Sequence, residues 1–147
     1  MNVLNLNYAN MVNAAKEELN KIWIPNVGDF VINEQGMLGV LIKNNQQELT
    51  DGKEKTSKYV GVTLLHNGLP WFSANPIWMP RLDQIITLFD GISAAAAFIV
   101  QFNRWLSANS FALSPEFSET VELALSMYMD MHHNKMWNFR TKAWEMR

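Results

Sequence analysis

The chain has 147 residues, of which 48% are hydrophobic and 18% charged, with a net charge of −2 and no cysteine. This length fits a single domain, or one small lobe and a helical lobe that share one core, and the composition is apolar enough for the chain to fold. The lack of cysteine excludes disulfides, thiol catalysis and thiolate metal sites, and we expect a cytoplasmic location. Acidic and basic residues are spread evenly along the chain, which gives no support to a large nucleic-acid-binding surface. We expect neither a signal peptide nor a membrane contact, because no apolar run is long enough to span a bilayer.

Residues 4–22 are predicted to form one helix, because apolar residues recur along them at spacings of three and four. This stripe contains Leu4, Tyr8, Met11, Val12, Ala15, Leu19 and Ile22. Pro25 should end the helix, since the residue before a proline is disfavoured in the helical conformation. The first predicted part of the fold is therefore an N-terminal helix within residues 1–24.

Residues 27–42 are predicted to form two short strands around a turn at residues 33–36. The order of Gly28-Asp29, apolar residues, a turn, Gly39 and further apolar residues resembles the opening hairpin of small SH3-like barrels. This resemblance implies a partly open barrel.

The polar segment 43–58 is predicted to be a mobile loop. It is followed by a second predicted hairpin, in which segments 59–65 and 69–72 are the strands and 66–68 the turn. Pro70 favours an edge position for the returning strand, because proline cannot donate a hydrogen bond to a neighbouring strand. Together the two hairpins predict a small antiparallel sheet within residues 25–79.

The hydrophobic period changes to three and four at Pro80, so the rest of the chain is predicted to be helical. Segments 82–89 and 92–108 form the first two stripes. The last helix is predicted to start with Ser114 as N-cap and Pro115 at its first position, and to run to about Trp137. Residues 138–147 either extend this helix or fray. We therefore predict an α+β fold in one domain, 1–147, whose helical part, 80–147, shares the core of the sheet.

Two segments of the second half resemble small uncharacterised proteins encoded by bacteriophages and prophages of Gram-positive bacteria. One is the Trp-x-Pro-Arg-x-Asp-Gln element that contains Trp78, Pro80, Arg81, Asp83 and Gln84. The other is a late helix that ends in Asn-Lys-x-Trp, at Asn134, Lys135 and Trp137. The resemblance implies an origin in a phage or mobile element, and it implies no catalytic activity.

The sequence contains no recognisable catalytic, cofactor or metal motif, so we predict no catalytic residue, no cofactor and no metal. His132 and His133 are adjacent on a predicted helix and point about 100° apart, which does not suit chelation of one ion. Asp130 and His133 share a face, but no third ligand is evident. Glu116, Glu119 and Glu122 recur at a spacing of three, and we interpret them as a solvated helical face.

The candidate interaction residues are Trp78, Arg81, Trp137, Arg140, Lys142 and Trp144. Trp78 and Arg81 flank the junction and either lock the start of a helix or form a ridge that binds a partner. The tail combines basic and aromatic residues, a combination that suits single-stranded nucleic acid. It equally suits a terminal element whose aromatic rings dock on the domain, or a subunit interface.

We therefore predict a non-enzymatic phage or prophage accessory protein that acts in the host cytoplasm by protein–protein binding. The partner is either another protein or a second copy of the chain. The alternative function is single-stranded nucleic-acid binding through the basic and aromatic tail.

Overall fold

The computed structural model describes residues 6–32, 37–44, 60–64, 70–73, 76–89 and 95–147. In chain order, the structure begins with helices α1 (Leu6–Ala14) and α2 (Lys16–Ile22) and strands β1 (Phe30–Ile32), β2 (Leu38–Asn44), β3 (Val60–Leu64), β4 (Pro70–Ser73) and β5 (Ile77–Trp78). It is followed by helices α3 (Leu82–Ile86) and α4 (Ala95–Ala108), a 3₁₀ helix (Ser110–Leu113), helix α5 (Thr120–His133) and strands β6 (Lys135–Asn138) and β7 (Ala143–Met146). The predicted α+β class, with N-terminal helix, small antiparallel sheet and C-terminal helices, is confirmed.

The chain divides into two compact units, which we call the sheet unit (residues 15–80) and the helical unit (residues 1–14 and 81–147). The prediction of one domain with a shared core stays a prediction. None of the described helices combines the length and the apolar composition needed to cross a membrane.

The sheet unit contains five antiparallel strands in the order β4-β3-β2-β1-β5. The two predicted hairpins are present, because β1 pairs with β2 and β3 pairs with β4. Pro70 opens the edge strand β4, as predicted. Lys43 and Asn44, which were predicted to lie in a mobile loop, belong to strand β2 instead. The remainder of that loop and the predicted turns at 33–36 and 66–68 lie outside the described residues.

Two features of the sheet were not predicted. Leu41 pairs with Val62 and Lys43 with Gly61, so Ile42 is the extra residue of a β-bulge. Strand β5 returns to pair with β1, and among the described strands no ladder joins the edges β4 and β5. The described sheet is therefore open.

The N-terminal segment forms two helices rather than the single helix predicted. They are separated at Ala15, whose φ of −102° and ψ of 13° lie outside the helical range. Asn10 and Asn13 precede this break, and asparagine weakens a helix because its side chain competes for backbone hydrogen bonds. As a result, α1 belongs to the helical unit and α2 to the sheet unit.

The start of α5 lies six residues after the predicted N-cap. Ser114 and Pro115 form a turn instead, in which Phe117 N–H donates to Ser114 C=O at 3.2 Å. Serine followed by proline is favoured in a β-turn as well as at the start of a helix, and here Ser114 and Pro115 form the turn. Glu119 is the N-cap that the structure shows.

The C-terminal segment is a hairpin, which corrects the predicted continuation of the last helix to Trp137. Helix α5 ends at His133, and Asn134 takes a left-handed conformation with φ of 54°. Such a residue commonly terminates a helix, and asparagine tolerates it. Strands β6 and β7 follow and pair antiparallel, with Trp137 opposite Trp144.

The core of the helical unit is aromatic and rich in methionine. A chain of ring contacts runs from Phe89 to Phe98, Phe102, Trp105 and Phe111, with centroid separations of 5.4 to 6.4 Å. Met127 and Met129 of α5 are fully buried, whereas Met131 is 47% exposed. Most of the apolar residues that could have formed a recognition patch on α5 therefore stabilise the core.

Candidate functional site

The tip of the C-terminal hairpin is built by Asn138. Its Oδ1 accepts the N–H groups of Arg140 and Thr141 at 2.9 and 3.2 Å, and its C=O accepts the N–H of Lys142 at 2.8 Å. Lys142 has a φ of 53°, which is the left-handed region that favours glycine or asparagine. The turn places Arg140 and Lys142 together on an exposed tip.

The tryptophans of this hairpin face the protein. Trp137 is 4% exposed, and its ring centroid lies 5.1 Å from that of Trp144. The Nε1 of Trp144 donates to the C=O of Met11 in α1 at 2.9 Å. Of the candidate residues in the tail, Arg140 and Lys142 are exposed. Trp137 and Trp144 instead pack within the helical unit.

The junction residues lie in different units. Trp78 is in β5 of the sheet unit, 4% exposed, and stacks on Trp23 with centroids 6.2 Å apart and planes 8° apart. Arg81 precedes α3 in the helical unit, where its N–H donates to Gln84 Oε1 at 2.8 Å. Its Nε donates to Asp83 at 3.3 Å, an exposed pair of small energetic value.

Arg147 is an organising residue that sequence reasoning missed. Its guanidinium donates to Asp130 Oδ2 and to Asn109 Oδ1, each at 2.6 Å, and lies 5.4 Å from the centre of the Phe111 ring. Asp130 also accepts the indole N–H of Trp105 at 2.9 Å. One arginine therefore ties the end of β7 to α4 and α5. Nothing in the local sequence indicates this contact.

The Asp130 contacts also bear on metal binding. The Asp130 carboxylate faces Trp105 and Arg147, and His132 stacks on Tyr128 with centroids 4.6 Å apart. The described residues contain no group of three or more His, Cys, Asp or Glu side chains that could hold a metal ion.

Glu122 is fully buried, so its interpretation as part of a solvated face is wrong. Its Oε2 accepts the N–H and Oγ–H of Ser118 at 2.9 and 3.0 Å and the N–H of Glu119 at 2.6 Å. Its Oε1 accepts the side-chain amide of Asn7. The carboxylate therefore holds α1 and the start of α5 together.

Glu122 also acts on Tyr8, which is completely buried. Burial raises the pKa of the Tyr8 phenol well above its usual value of 10.0, and the negative charge of Glu122 raises this pKa further. This pair lies in the core and serves the packing of α1.

An open groove of about 580 Å³ runs beside the start of α5. Its lining residues are Arg81, Leu82, Asp83, Ser118, Glu119, Thr120 and Val121. The groove carries one cation and two carboxylates, of which Arg81 and Asp83 pair with each other, so no cluster of like charges marks it as an ion site. The Ser118 hydroxyl is oriented towards Glu122 as part of the helix start, and this geometry does not select a reaction.

Helix α4 has an exposed apolar surface. Phe98 and Trp105 face the core, 3% and 7% exposed, while Ile99 and Val100 are 56% and 54% exposed. A second set of exposed residues follows one line along the outer side at spacings of four, three and four: Ala96, Val100, Asn103 and Ser107. We call this line the α4 seam.

The sheet unit also displays apolar side chains, on the loop between α2 and β1. The carboxylate of Asp29 accepts the indole N–H of Trp23 and the N–H of Asn26, both at 2.9 Å. These bonds fix a loop on which Ile24 is 79% and Val27 67% exposed. Asp29 therefore shapes a surface loop, and its own side chain is only 3% exposed.

Comparison of the chain with protein-family models, curated proteins and solved structures gave no match.

Proposed function

We propose that this protein is a non-enzymatic accessory protein that acts by protein–protein binding, and that the α4 seam binds a second copy of the chain. The observation that carries the proposal is the exposure of the seam residue Val100, with Ile99 beside the seam, on a helix whose other side is already buried. A helix that is apolar around most of its circumference is normally covered on both sides. An exposed apolar surface of this kind favours binding to another protein surface.

The seam suits a copy of itself in antiparallel orientation. With the two-fold axis between positions 101 and 102, Val100 of one copy lies opposite Asn103 of the other, and Ala96 opposite Ser107. The seam residues are small, which allows two helices to approach closely, and the spacing of four, three and four is that of a helix–helix contact. α4 contains one cation, Arg104, and no acidic residue, so the two copies oppose each other with little charge repulsion.

The size of this contact sets its strength. A helix of 14 residues is about 21 Å long and supports an interface at the small end of the range for specific complexes. We therefore expect a weak dimer whose population depends on protein concentration.

The phage or prophage origin is part of the same proposal. It is supported by the resemblance of the Trp78–Gln84 and Asn134–Trp137 elements to proteins of that group. The SH3-like resemblance is supported by the strand order, because in small SH3-like barrels the last strand likewise returns to the first while the others form a meander. The bulge at Ile42 is where a long strand could bend between two halves of such a barrel.

Nucleic-acid binding through the tail is the alternative, and it has less support. Arg140 and Lys142 are exposed and suited to phosphate contacts, but Trp137 is buried and Trp144 packs against α1. Stacking on bases requires open aromatic faces. The variant that tests this function is Arg140→Gln/Lys142→Gln, since deletion of the hairpin would remove part of the packed unit.

The test is light scattering over a range of protein concentrations, at low and high salt, with and without a short single-stranded oligonucleotide. We expect a dimer that is insensitive to salt and to the oligonucleotide, and that Val100→Asp shifts to monomer. Thr120→Asp adds the same charge at an exposed site outside α4 and should leave the dimer intact. A monomeric mass at every concentration would overturn the proposal, and a mass gain with oligonucleotide at low salt only would favour the alternative.

The orientation of the two copies can be tested separately. Because the chain contains no cysteine, the double variant Val100→Cys/Asn103→Cys provides the two thiols of the antiparallel register and no others. Mild oxidation should yield a covalent dimer. A dimer by light scattering that does not become covalent would keep self-association and overturn the antiparallel register.

A further inference from the structure

The outer edge of strand β5 is occupied by a side chain from α2. Asn20 Nδ2 donates to the C=O of Pro76 at 3.0 Å, and Asn20 Oδ1 accepts the N–H of Trp78 at 3.3 Å. The inner edge of β5 is bonded to β1, where Met79 N–H donates to Phe30 C=O at 2.9 Å. Both sides of this short strand therefore have hydrogen-bond partners.

The pattern of the two Asn20 bonds is that of a parallel strand. In a parallel ladder, one residue donates to the C=O before its neighbour and accepts the N–H after it. Asn20 forms this pair of bonds on either side of Ile77. Its side-chain amide supplies one donor and one acceptor, the same groups as a backbone peptide.

We propose that Asn20 substitutes for a strand residue on the outer edge of β5 and thereby closes this edge of the sheet to strand addition by a second copy. An edge strand with free N–H and C=O groups is a template for pairing with another chain. Ile77 and Trp78 have the β-branched and aromatic side chains that favour strands, so this edge would pair readily once opened. This device lies in the sheet unit and is independent of the α4 seam.

The test compares Asn20→Ala, Asn20→Asp and the control Lys21→Ala, which changes the exposed next residue of the same helix. Hydrogen exchange of two backbone amides is followed by NMR: Trp78, bonded to Asn20, and Met79, bonded to β1. In Asn20→Ala the Trp78 amide should exchange on the order of tenfold faster, because its acceptor is gone. The Met79 amide should change much less. In Asn20→Asp the acceptor remains, so Trp78 should stay protected, while Lys21→Ala should match the parent.

Light scattering of the same variants tests the closure of the edge. Asn20→Ala, combined with Val100→Asp to remove the α4 contact, should gain mass with increasing concentration, whereas Val100→Asp alone should not. Equal acceleration of the Trp78 and Met79 amides in both Asn20 variants would overturn the proposal, because it would mean general unfolding. Faster exchange at Trp78 with a mass that stays monomeric would also overturn it, because an opened edge would then not recruit a strand.

Discussion

Two carboxylates are buried among the residues that the structure describes, Asp29 in the sheet unit and Glu122 in the helical unit, and they bind partners at different sequence distances. Both collect N–H groups at the start of an element. The described donors to Asp29, from Trp23 and Asn26, lie within six residues of it. Glu122 accepts from Ser118 and Glu119 nearby and also from Asn7, 115 positions away. The first carboxylate shapes a loop, whereas the second joins α1 to the start of α5.

The largest loss in the free energy of unfolding is expected for Glu122→Ala. The substitution leaves the half-buried Asn7 amide and the N–H groups of Ser118 and Glu119 without their carboxylate acceptor. We expect a loss of about 3 kcal/mol or more in the free energy of unfolding, measured by urea denaturation. Glu116→Ala, an exposed glutamate of the same predicted stripe, should change stability by less than about 0.5 kcal/mol. Similar losses in the two variants would mean that Glu122 does not hold the helical unit together.

Asp29→Ala is expected to have the next largest effect. Two donors lose their acceptor, but both lie near the surface, where water can replace part of the bonding. We expect a loss of about 2 kcal/mol by the same measurement. Because the affected bonds are local, tryptophan fluorescence should report a change around Trp23 before the protein unfolds. A stability equal to that of the parent would show that the loop is held by other contacts.

The raised pKa of Tyr8, which is buried beside Glu122, should make the stability of the protein depend on pH above 10. Since the pKa of Tyr8 is raised in the folded state, the folded chain keeps the phenolic proton at a pH where the unfolded chain has lost it. Stability should therefore fall as pH rises above 10, by up to about 1.4 kcal/mol per pH unit for this one group. Tyr8→Phe should reduce the slope of stability against pH between pH 10 and 11. An unchanged slope would contradict the raised pKa of the buried Tyr8 phenol.

The smallest effect is expected for Ser118→Ala. Only the Oγ–H bond to Glu122 is lost, while the Ser118 N–H bond to the same oxygen remains. We expect a loss of about 1 kcal/mol in urea denaturation. A loss as large as that of Glu122→Ala would mean that the hydroxyl, rather than the backbone donors, carries this contact.

The contrast between local and long-range contacts also explains which parts of the fold could be predicted from the sequence. The antiparallel hairpins and the edge position of Pro70 follow from alternation and proline chemistry, which are local properties. The α+β class follows from the change of period at Pro80. In contrast, the burial of Glu122 depends on Asn7, and the Arg147 contacts depend on Asn109 and Asp130. Such partners meet only in the folded chain, and a single sequence does not indicate them.

The C-terminal hairpin lies between these cases. Asn134 as a left-handed helix end and the paired Trp137 and Trp144 are features from which the hairpin could have been predicted. The hairpin was not predicted because Lys142 occupies the left-handed position of its turn, where glycine or asparagine usually indicates a hairpin. Of the candidate interaction residues, only Arg140 and Lys142 have a placement, on a turn, that could be predicted from the local sequence. The exposed face of α4 could be recognised only when its opposite side was known to be buried.

The left-handed backbone of Lys142 has a consequence for the order in which the molecule folds. A turn that contains a lysine in this conformation is a poor nucleus, since the unfolded chain seldom visits it. We therefore expect β6 and β7 to close late, on a surface already formed by α1 and α5, guided by the bond from Trp144 to Met11. The protein would then complete its last hairpin on a surface that its helices have already formed.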